Sequence, residues 1–296
     1  MTSYGGQPGD PKRLSVVVPY RDREAHLRVF LPHLLAYFGH DKLDRTIPVG
    51  ITVAEQEDGL PFNRGALLNA GFLLTEAFDY HCFHDVDYLP IWADYRYPET
   101  PARLVWFGAE ERSLAPQSGL RVQHLRDSFF GAVVLFRREH FRRVNGFSNG
   151  YWGWGSEDSD LRLRCAAEGL EVEHRDGTFR PLDHRHAGYH PDGTPAESVA
   201  RNEARYAENA AAMASGAHQR DGLSSARFTV LRRETLEPGD HRARLLSLER
   251  VLVQLPGPEP RARRAARRLR RLPALSSDVR AVASPVAQSD RATPSR

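Results

Sequence analysis

Three segments of this 296-residue chain carry side chains whose types and spacing could do chemistry. Asp85-Val86-Asp87 directly follows an apolar run. In extended backbone, residues i and i+2 face the same way, so two carboxylates would converge on a point suited to a divalent cation and the diphosphate it neutralises. Taken alone, an acid-x-acid triplet is more often a solvated loop. In the run Asn149-Gly150-Tyr151-Trp152-Gly153-Trp154-Gly155-Ser156-Glu157-Asp158-Ser159-Asp160, two of the four tryptophans lie within three residues, separated by glycine. The glycines permit positive φ or close approach of backbone to a ligand, and the indoles offer flat apolar faces that suit a sugar ring. Ser156 reads as an N-cap that puts Glu157 and Asp158 in a first helical turn, where the helix dipole favours ionised carboxylates. An ionised Asp158 beside an aromatic floor could take a proton from an incoming hydroxyl. The plainer alternative is a capped surface helix whose tryptophans fill the core. In His184-Arg185-His186, extended backbone would put both imidazoles on one face; with an Asp carboxylate they suit Mn²⁺ or another transition ion. An exposed His-rich loop has the same sequence.

The elements that must position these groups read as alternating strands and helices. Leu14 to Pro19 is a β-branched apolar run of the kind buried on both faces of a parallel sheet. The spacing of Leu27, Phe30, Leu31, Leu34 and Leu35 predicts a helix over 23–38, which Pro32 should kink or split. Strands are predicted over 47–54, 81–86, 104–107, 129–136 and 227–232, and helices over 64–78, 157–170 and 196–214. This alternation points to an α/β sheet with helices on both faces, whose ligands bind beyond the carboxyl ends of the strands. Pro19-Tyr20-Arg21-Asp22-Arg23 and Phe62-Asn63-Arg64-Gly65 place arginines at two such strand-to-helix turns, where guanidinium and backbone N–H groups can hold phosphate oxygens. Ordinary surface charge would look alike.

Composition excludes several classes. The chain is 41% hydrophobic and 27% charged, that of a globular protein. Its two cysteines cannot make a disulfide-stapled scaffold, and read as buried apolar side chains. No apolar run is long enough for a membrane span or a signal-peptide core, so the expectation is a cytoplasmic protein, at most peripheral to the inner face of the cell membrane. Residues 261–296 hold ten of the 41 basic groups and two of the 38 acidic ones; the remainder carries 31 and 36, a net of −5. The body therefore has no cationic field for nucleic acid. Arg261, Arg264, Arg268 and Arg271 fall at helical spacing in this Pro/Arg-rich tail over 256–296, which reads as disordered. Weak contact with an anionic membrane and a functionally neutral tail are both compatible with it.

Taken in order, these segments resemble the β-1,4-galactosyltransferase family. The matching pieces are Val18-Pro19-Tyr20-Arg21-Asp22-Arg23, Phe62-Asn63-Arg64-Gly65 through Phe72, Phe83-His84-Asp85-Val86-Asp87, Phe129-Phe130-Gly131-Ala132, and Asn145-Gly146-Phe147-Ser148-Asn149 through Asp160. The resemblance implies a GT-A type fold, a Rossmann-like mixed sheet flanked by helices. It also implies an inverting, Mn²⁺-dependent (or other divalent cation) transfer of a hexose, galactose first, from a UDP-sugar to a hydroxyl of a glycan or glycoside acceptor. Asp158 would be the general base and Glu157 would hold sugar hydroxyls. Pro19, Tyr20, Arg21, Arg23, Phe62 and Arg64 would line the UDP site with Asp85 and Val86, while Trp154 and Gly155 would border donor and acceptor. Asp87, His184 and His186 would ligate the metal; Pro181 stands where many members have a methionine ligand, and the His-x-His pair resembles the branch that transfers galactose to xylose. Phe129 lies where side-chain size affects donor choice, so UDP-GalNAc, UDP-xylose and UDP-glucose stay open, as does a non-catalytic sugar- or nucleotide-binding role. The implied organisation is a flexible segment over 1–13, a transferase domain over 14–255 with its nucleotide-sugar part in 14–125 and acceptor part in 126–235, then the tail.

Overall fold

A computed structural model describes residues 11–39, 47–57, 59–105, 130–175, 177–183, 197–238 and 245–258. Its contacts divide the chain into two units, Met1–Gly257 and Pro258–Arg296. The readings made above for residues 1–10, for Phe129, for His184 and His186 and for the tail beyond 258 lie outside the described residues. Arg13, assigned to the flexible start, is tied down: its N–H donates to Asp79 Oδ2 at 2.8 Å.

An eight-stranded mixed sheet forms the body of the first unit. Its centre is β1 (Leu14–Tyr20), parallel to β2 (Val49–Gln56) on one side and to β3 (Tyr80–His84) on the other. Side chains alternate across β1: Leu14, Val16, Val18 and Tyr20 pack with Leu27, Phe30, Leu34 and Leu35 of α1 (Glu24–Gly39). Val17 instead joins Leu67, Leu68 and Phe72 of α2 (Arg64–Leu74) on the other face. Burial on both faces is why the strand reads as continuous apolar sequence.

Pro32 lies inside α1 without dividing it. Both Pro32 and Arg28, whose carbonyl loses its N–H partner, are exposed, so water can replace the missing bond. β1 runs on through Pro19 and Tyr20; β3 pairs with it only as far as Val17, which leaves one side open where proline has no N–H to give. α2 stops at Leu74 rather than Phe78: Thr75 leaves the helical conformation at φ −124°, its N–H turning to the Phe72 carbonyl at 3.0 Å while its hydroxyl donates to the Gly71 carbonyl at 2.7 Å. Two short strands, β4 (Tyr88–Ala93) and β8 (Gly177–Pro181), form a separate antiparallel pair. At the far side of the main sheet are β5 (Ala102–Arg103), β6 (Val133–Arg137) and β7 (Glu173–His174). β6 begins later than its apolar run because Ala132 sits at φ 58°, off the strand conformation. β6 leads into α3 (Arg138–Arg143), and α4 (Glu157–Ala167) follows. α4 ends short of Leu170: Gly169 turns the chain at φ 64° and the Leu170 N–H returns to the Cys165 carbonyl at 2.8 Å.

α5 (Glu197–Ala212) is followed by short 3₁₀ turns, β9 (Thr229–Thr235) and β10 (Leu245–Gln254). β10 escaped the sequence reading, yet it extends the parallel core beside β2 and buries Leu248, Val251 and Val253. Burial skips from Leu248, on one face, to Val251 and Val253 on the other, so the strand lacks the strict two-residue period that marks one in sequence.

His81 is fully buried on β3, its ring tilted against Phe72, with Nε2 at 3.1 Å from the Thr75 carbonyl. Burial pushes its imidazole down to about 3, so it stays neutral in the folded chain. The unfolded chain takes up that proton near pH 6.5, so stability is full above about 6.5 and is lost as pH falls toward 3, on the order of 3 kcal/mol by pH 4 from this group. Urea titrations at pH 7 and pH 4.5 measure this, and His81→Phe is expected to flatten the difference.

Candidate functional site

The carboxyl ends of β3, β1 and β2, adjacent and parallel, open on one edge of the sheet. The segments leaving them carry Asp85–Asp87, Arg21–Arg23 and Phe62–Arg64 respectively. Arg64, the first residue of α2, links two of the predicted groups. Its Nε donates to Asp85 Oδ1 at 2.7 Å and its Nη1 to Asp158 Oδ1 at 2.7 Å, with Glu157 Oε1 at 3.8 Å. One guanidinium thus joins the turn after β3, the start of α2 and the first turn of α4.

Asparagines hold these elements in register. The Asn63 carboxamide caps α2 by accepting from the Ala66 N–H at 2.9 Å, and donates to the Asn149 carbonyl at 2.8 Å. Asn69, two turns along, exchanges hydrogen bonds with the Phe147 backbone at 2.8 and 3.0 Å and donates to Asn149 Oδ1 at 2.9 Å. Phe147 lies under the Arg64 guanidinium, 5.7 Å from ring centre to carbon. The stretch before α4 is thereby fastened to α2, which delivers Asp158 to Arg64.

The electrostatics are those of a crowded acidic pocket around one cation. Burial pushes the Asp85 carboxyl up to about 6; Arg64 opposes this and Asp87 adds to it. Asp158 is raised well above the ordinary carboxylate range by burial, with Glu157 and Asp85 reinforcing and Arg64 opposing. Burial works against the charge of Arg64, but Asp158, Asp85 and Glu157 outweigh it. Asp158 keeps 25% of its side chain exposed, enough for a hydroxyl to reach it. Among the described residues, Arg64 Nη2 and Arg23 Nη1 are buried with no hydrogen-bond partner.

Other predicted residues divide. Asp85-Val86-Asp87 is a turn between β3 and β4 rather than extended backbone, with the Tyr88 N–H 3.4 Å from the Asp85 carbonyl, and the Val86 side chain enters the core. Asp87 still acts on Asp85 through its charge. Pro19 and Tyr20 belong to β1; Tyr20 is buried, its hydroxyl donating to Glu24 Oε2 at 3.2 Å. Arg21 stacks over Phe62 at 5.5 Å and donates to the Leu60 carbonyl. Ser156 is no side-chain cap: it sits at φ 73°, outside the extended region a capping serine needs, and makes no cap hydrogen bond. The tryptophans part company, Trp152 entering the core at 7% exposure while Trp154 stays 38% exposed beside Gly155, whose φ is 109°. No cluster of three or more His, Cys, Asp or Glu side chains able to hold a metal occurs among the described residues.

Two family models match the sequence: one described as the N-terminal region of glycosyl transferase group 7, over residues 8–97, and one described as the N-terminal domain of galactosyltransferase, over residues 117–187. Beta-1,4-galactosyltransferase 7 of Drosophila melanogaster is 35% identical over 185 residues, covering 60% of this chain and 53% of that protein. The chain belongs to the β-1,4-galactosyltransferase family. Human beta-1,4-galactosyltransferase 4 is 40% identical over 166 residues, covering 54% of this chain and 44% of that protein. The chain spans about half the length of the curated relatives it matches. The fold is also similar to the crystal structure of the catalytic domain of Drosophila beta-1,4-galactosyltransferase 7 complexed with xylobiose, at TM-score 0.62 and 27% identity, covering 83% of this chain and 94% of that one. A mutant of the same enzyme, complexed with manganese, UDP-Gal and xylobiose, superposes at TM-score 0.60 and 25% identity over the same shares.

For a β-1,4-galactosyltransferase family member, the described geometry gives the shared motif asparagines a physical task, the fastening of α4 to α2. Nothing in the spacing of Asn63 and Asn69 points to that task. Sequence reading also missed the polar face of α5, although Ser198, Asn202, Arg205 and Asn209 recur there at helical spacing in an Ala-rich helix.

Proposed function

We propose that this chain is a metal-dependent, inverting galactosyltransferase that moves galactose from UDP-galactose to a hydroxyl of a glycoside acceptor, with Asp158 as general base. The Arg64 bridge carries the reading, because it ties Asp158 to the strand ends where an α/β sheet binds its ligand. Arg23 Nη1 and Arg64 Nη2 are buried donors without acceptors, and diphosphate oxygens are the acceptors such guanidinium groups suit. The xylobiose in the neighbouring crystal structures favours a xylose-bearing acceptor.

The donor set fits a divalent cation. Asp85 and Asp87 crowd their charges at one strand end, and Arg64 alone leaves Asp85 raised. Asp87 is the proposed ligand, with His184 and His186 carried over from the family resemblance. Support for that grouping is that the Leu182 N–H donates to the Asp87 carbonyl at 2.7 Å, so the chain leading to His184 runs beside Asp87. When bound, Mn²⁺ supplies positive charge against the diphosphate. Asp158 takes the proton of the acceptor hydroxyl, whose oxygen bonds to the anomeric carbon from the face opposite UDP as the bond to UDP breaks. The N–H groups of Arg64 and Arg23 share the charge that develops on the departing diphosphate.

Release of UDP from a panel of UDP-galactose, UDP-GalNAc, UDP-xylose and UDP-glucose, offered with xylobiose and other glycoside acceptors, tests the proposal. UDP-galactose is expected to turn over fastest, and EDTA should abolish release until Mn²⁺ is restored. Release from no donor with any acceptor would overturn the reading and leave a binding protein on the same fold.

A further inference from the structure

Helix α5 packs a polar stripe against the loop that precedes α4. Asn202 is fully buried, and its Nδ2 donates to the carbonyls of both Trp152, at 3.2 Å, and Trp154, at 3.0 Å. Arg201 Nη2 donates to the Trp152 carbonyl at 2.7 Å, and the Trp154 N–H donates to Ser198 Oγ at 3.3 Å. Further along, Arg205 lies over the Tyr151 ring and Asn209 Nδ2 donates to Asp160 Oδ2 at 2.6 Å. From the opposite side, the Gly153 N–H donates to the Phe62 carbonyl at 2.7 Å.

This loop needs an external hold. Gly153, Gly155 and Ser156 all have positive φ, so no regular helix or strand ladder satisfies its backbone. Position 153 is closed to larger residues, since a Cβ there would lie 2.5 Å from the Ser198 Cβ. The backbone of 152–154 is therefore bound on both sides, whereas the Trp154 indole remains 38% exposed. A tryptophan displayed from backbone held at its own N–H and carbonyl differs from one left outside by poor packing, as that hold limits the orientations of the ring. Asn202 Oδ1 is buried without a hydrogen-bond partner. An apolar side chain would avoid that cost, so the carboxamide is kept for its two N–H donors.

We propose that Asn202 and Ser198 are positioning residues for acceptor recognition: they fix the 152–154 backbone so that the Trp154 indole stands as a sugar platform beside Asp158. The proposal rests on the transferase reading. Its test uses Asn202→Ala and the milder Ser198→Ala, each alone and on a Trp154→Ala background, assayed with UDP-galactose, Mn²⁺ and xylobiose. Asn202→Ala is expected to raise the acceptor KM about tenfold and Ser198→Ala about threefold, the worth of one or two hydrogen bonds, with the donor KM unchanged. On the Trp154→Ala background the same changes should alter KM less than about twofold, because the platform they serve is gone. Hydrogen exchange of the amides at 153 and 154 should quicken at least about tenfold in Asn202→Ala while the melting temperature falls by no more than a few degrees. Full KM effects that persist without Trp154, or unchanged amide exchange, would overturn the proposal. The exchange arm needs no turnover, so it judges the clamp even if the transferase reading fails in the donor panel.

Discussion

Asp158→Asn is expected to lower kcat about 10³-fold while UDP affinity in the presence of Mn²⁺ changes less than about threefold. The amide keeps the size of the side chain and an oxygen for Arg64 Nη1, now 2.7 Å from Asp158 Oδ1, so the bridge to α2 can survive. What is lost is the capacity to accept a proton from the acceptor hydroxyl. Calorimetric titration with UDP and Mn²⁺ alongside steady-state turnover separates the two effects. A loss below about tenfold would remove Asp158 from the base role, and a collapse of UDP binding would make it a structural anchor instead. The pH dependence carries a further sign. Asp158 must be ionised to act, and burial, reinforced by Glu157 and Asp85 against Arg64, raises its titration. Wild-type kcat should therefore fall with acidification at a pH above the ordinary aspartate range of about 4.

Arg64→Leu is expected to cost about 3–5 kcal/mol of folding stability near neutral pH and to abolish turnover. The guanidinium is the shared partner of Asp85 and Asp158, with Glu157 within 3.8 Å, and removing it leaves three partly buried carboxylates facing one another. Acid should relieve the variant. Its carboxylates then titrate higher still, and once protonated they need no cation, so the deficit shrinks as pH falls from 7.5 to 5. Urea denaturation of wild type and variant at both pH values measures this. A deficit below about 1 kcal/mol that does not vary with pH would mean that Arg64 is a surface-like pair of little consequence.

Much of this was legible in the residues themselves. The β1 run, the α2 face of Leu67, Leu68 and Phe72, and the acids opening α4 follow from periodicity and local chemistry, and the structure has them as elements. Local rules failed where a tertiary contact decides the backbone. Ser156 has the right type for a cap, but the turn through Gly155 carries it to positive φ. Asp85 and Asp87 look like strand residues, yet β3 ends at His84 as the chain turns into a second sheet. The Arg64 bridge joins positions 64, 85 and 158, and no spacing rule links residues so far apart. β10 was hidden by the change of buried face between Leu248 and Val251, and the stripe on α5 by its polarity, since a helix face that binds loop backbone carries no apolar signature.

The configuration of the product made from UDP-α-galactose, read from the coupling constant of its anomeric proton by NMR, is the most direct test. One displacement with Asp158 drawing the proton from the attacking hydroxyl yields a β-linked galactoside. An α-linked product would contradict it, because retention requires either two successive displacements or attack from the side that UDP leaves.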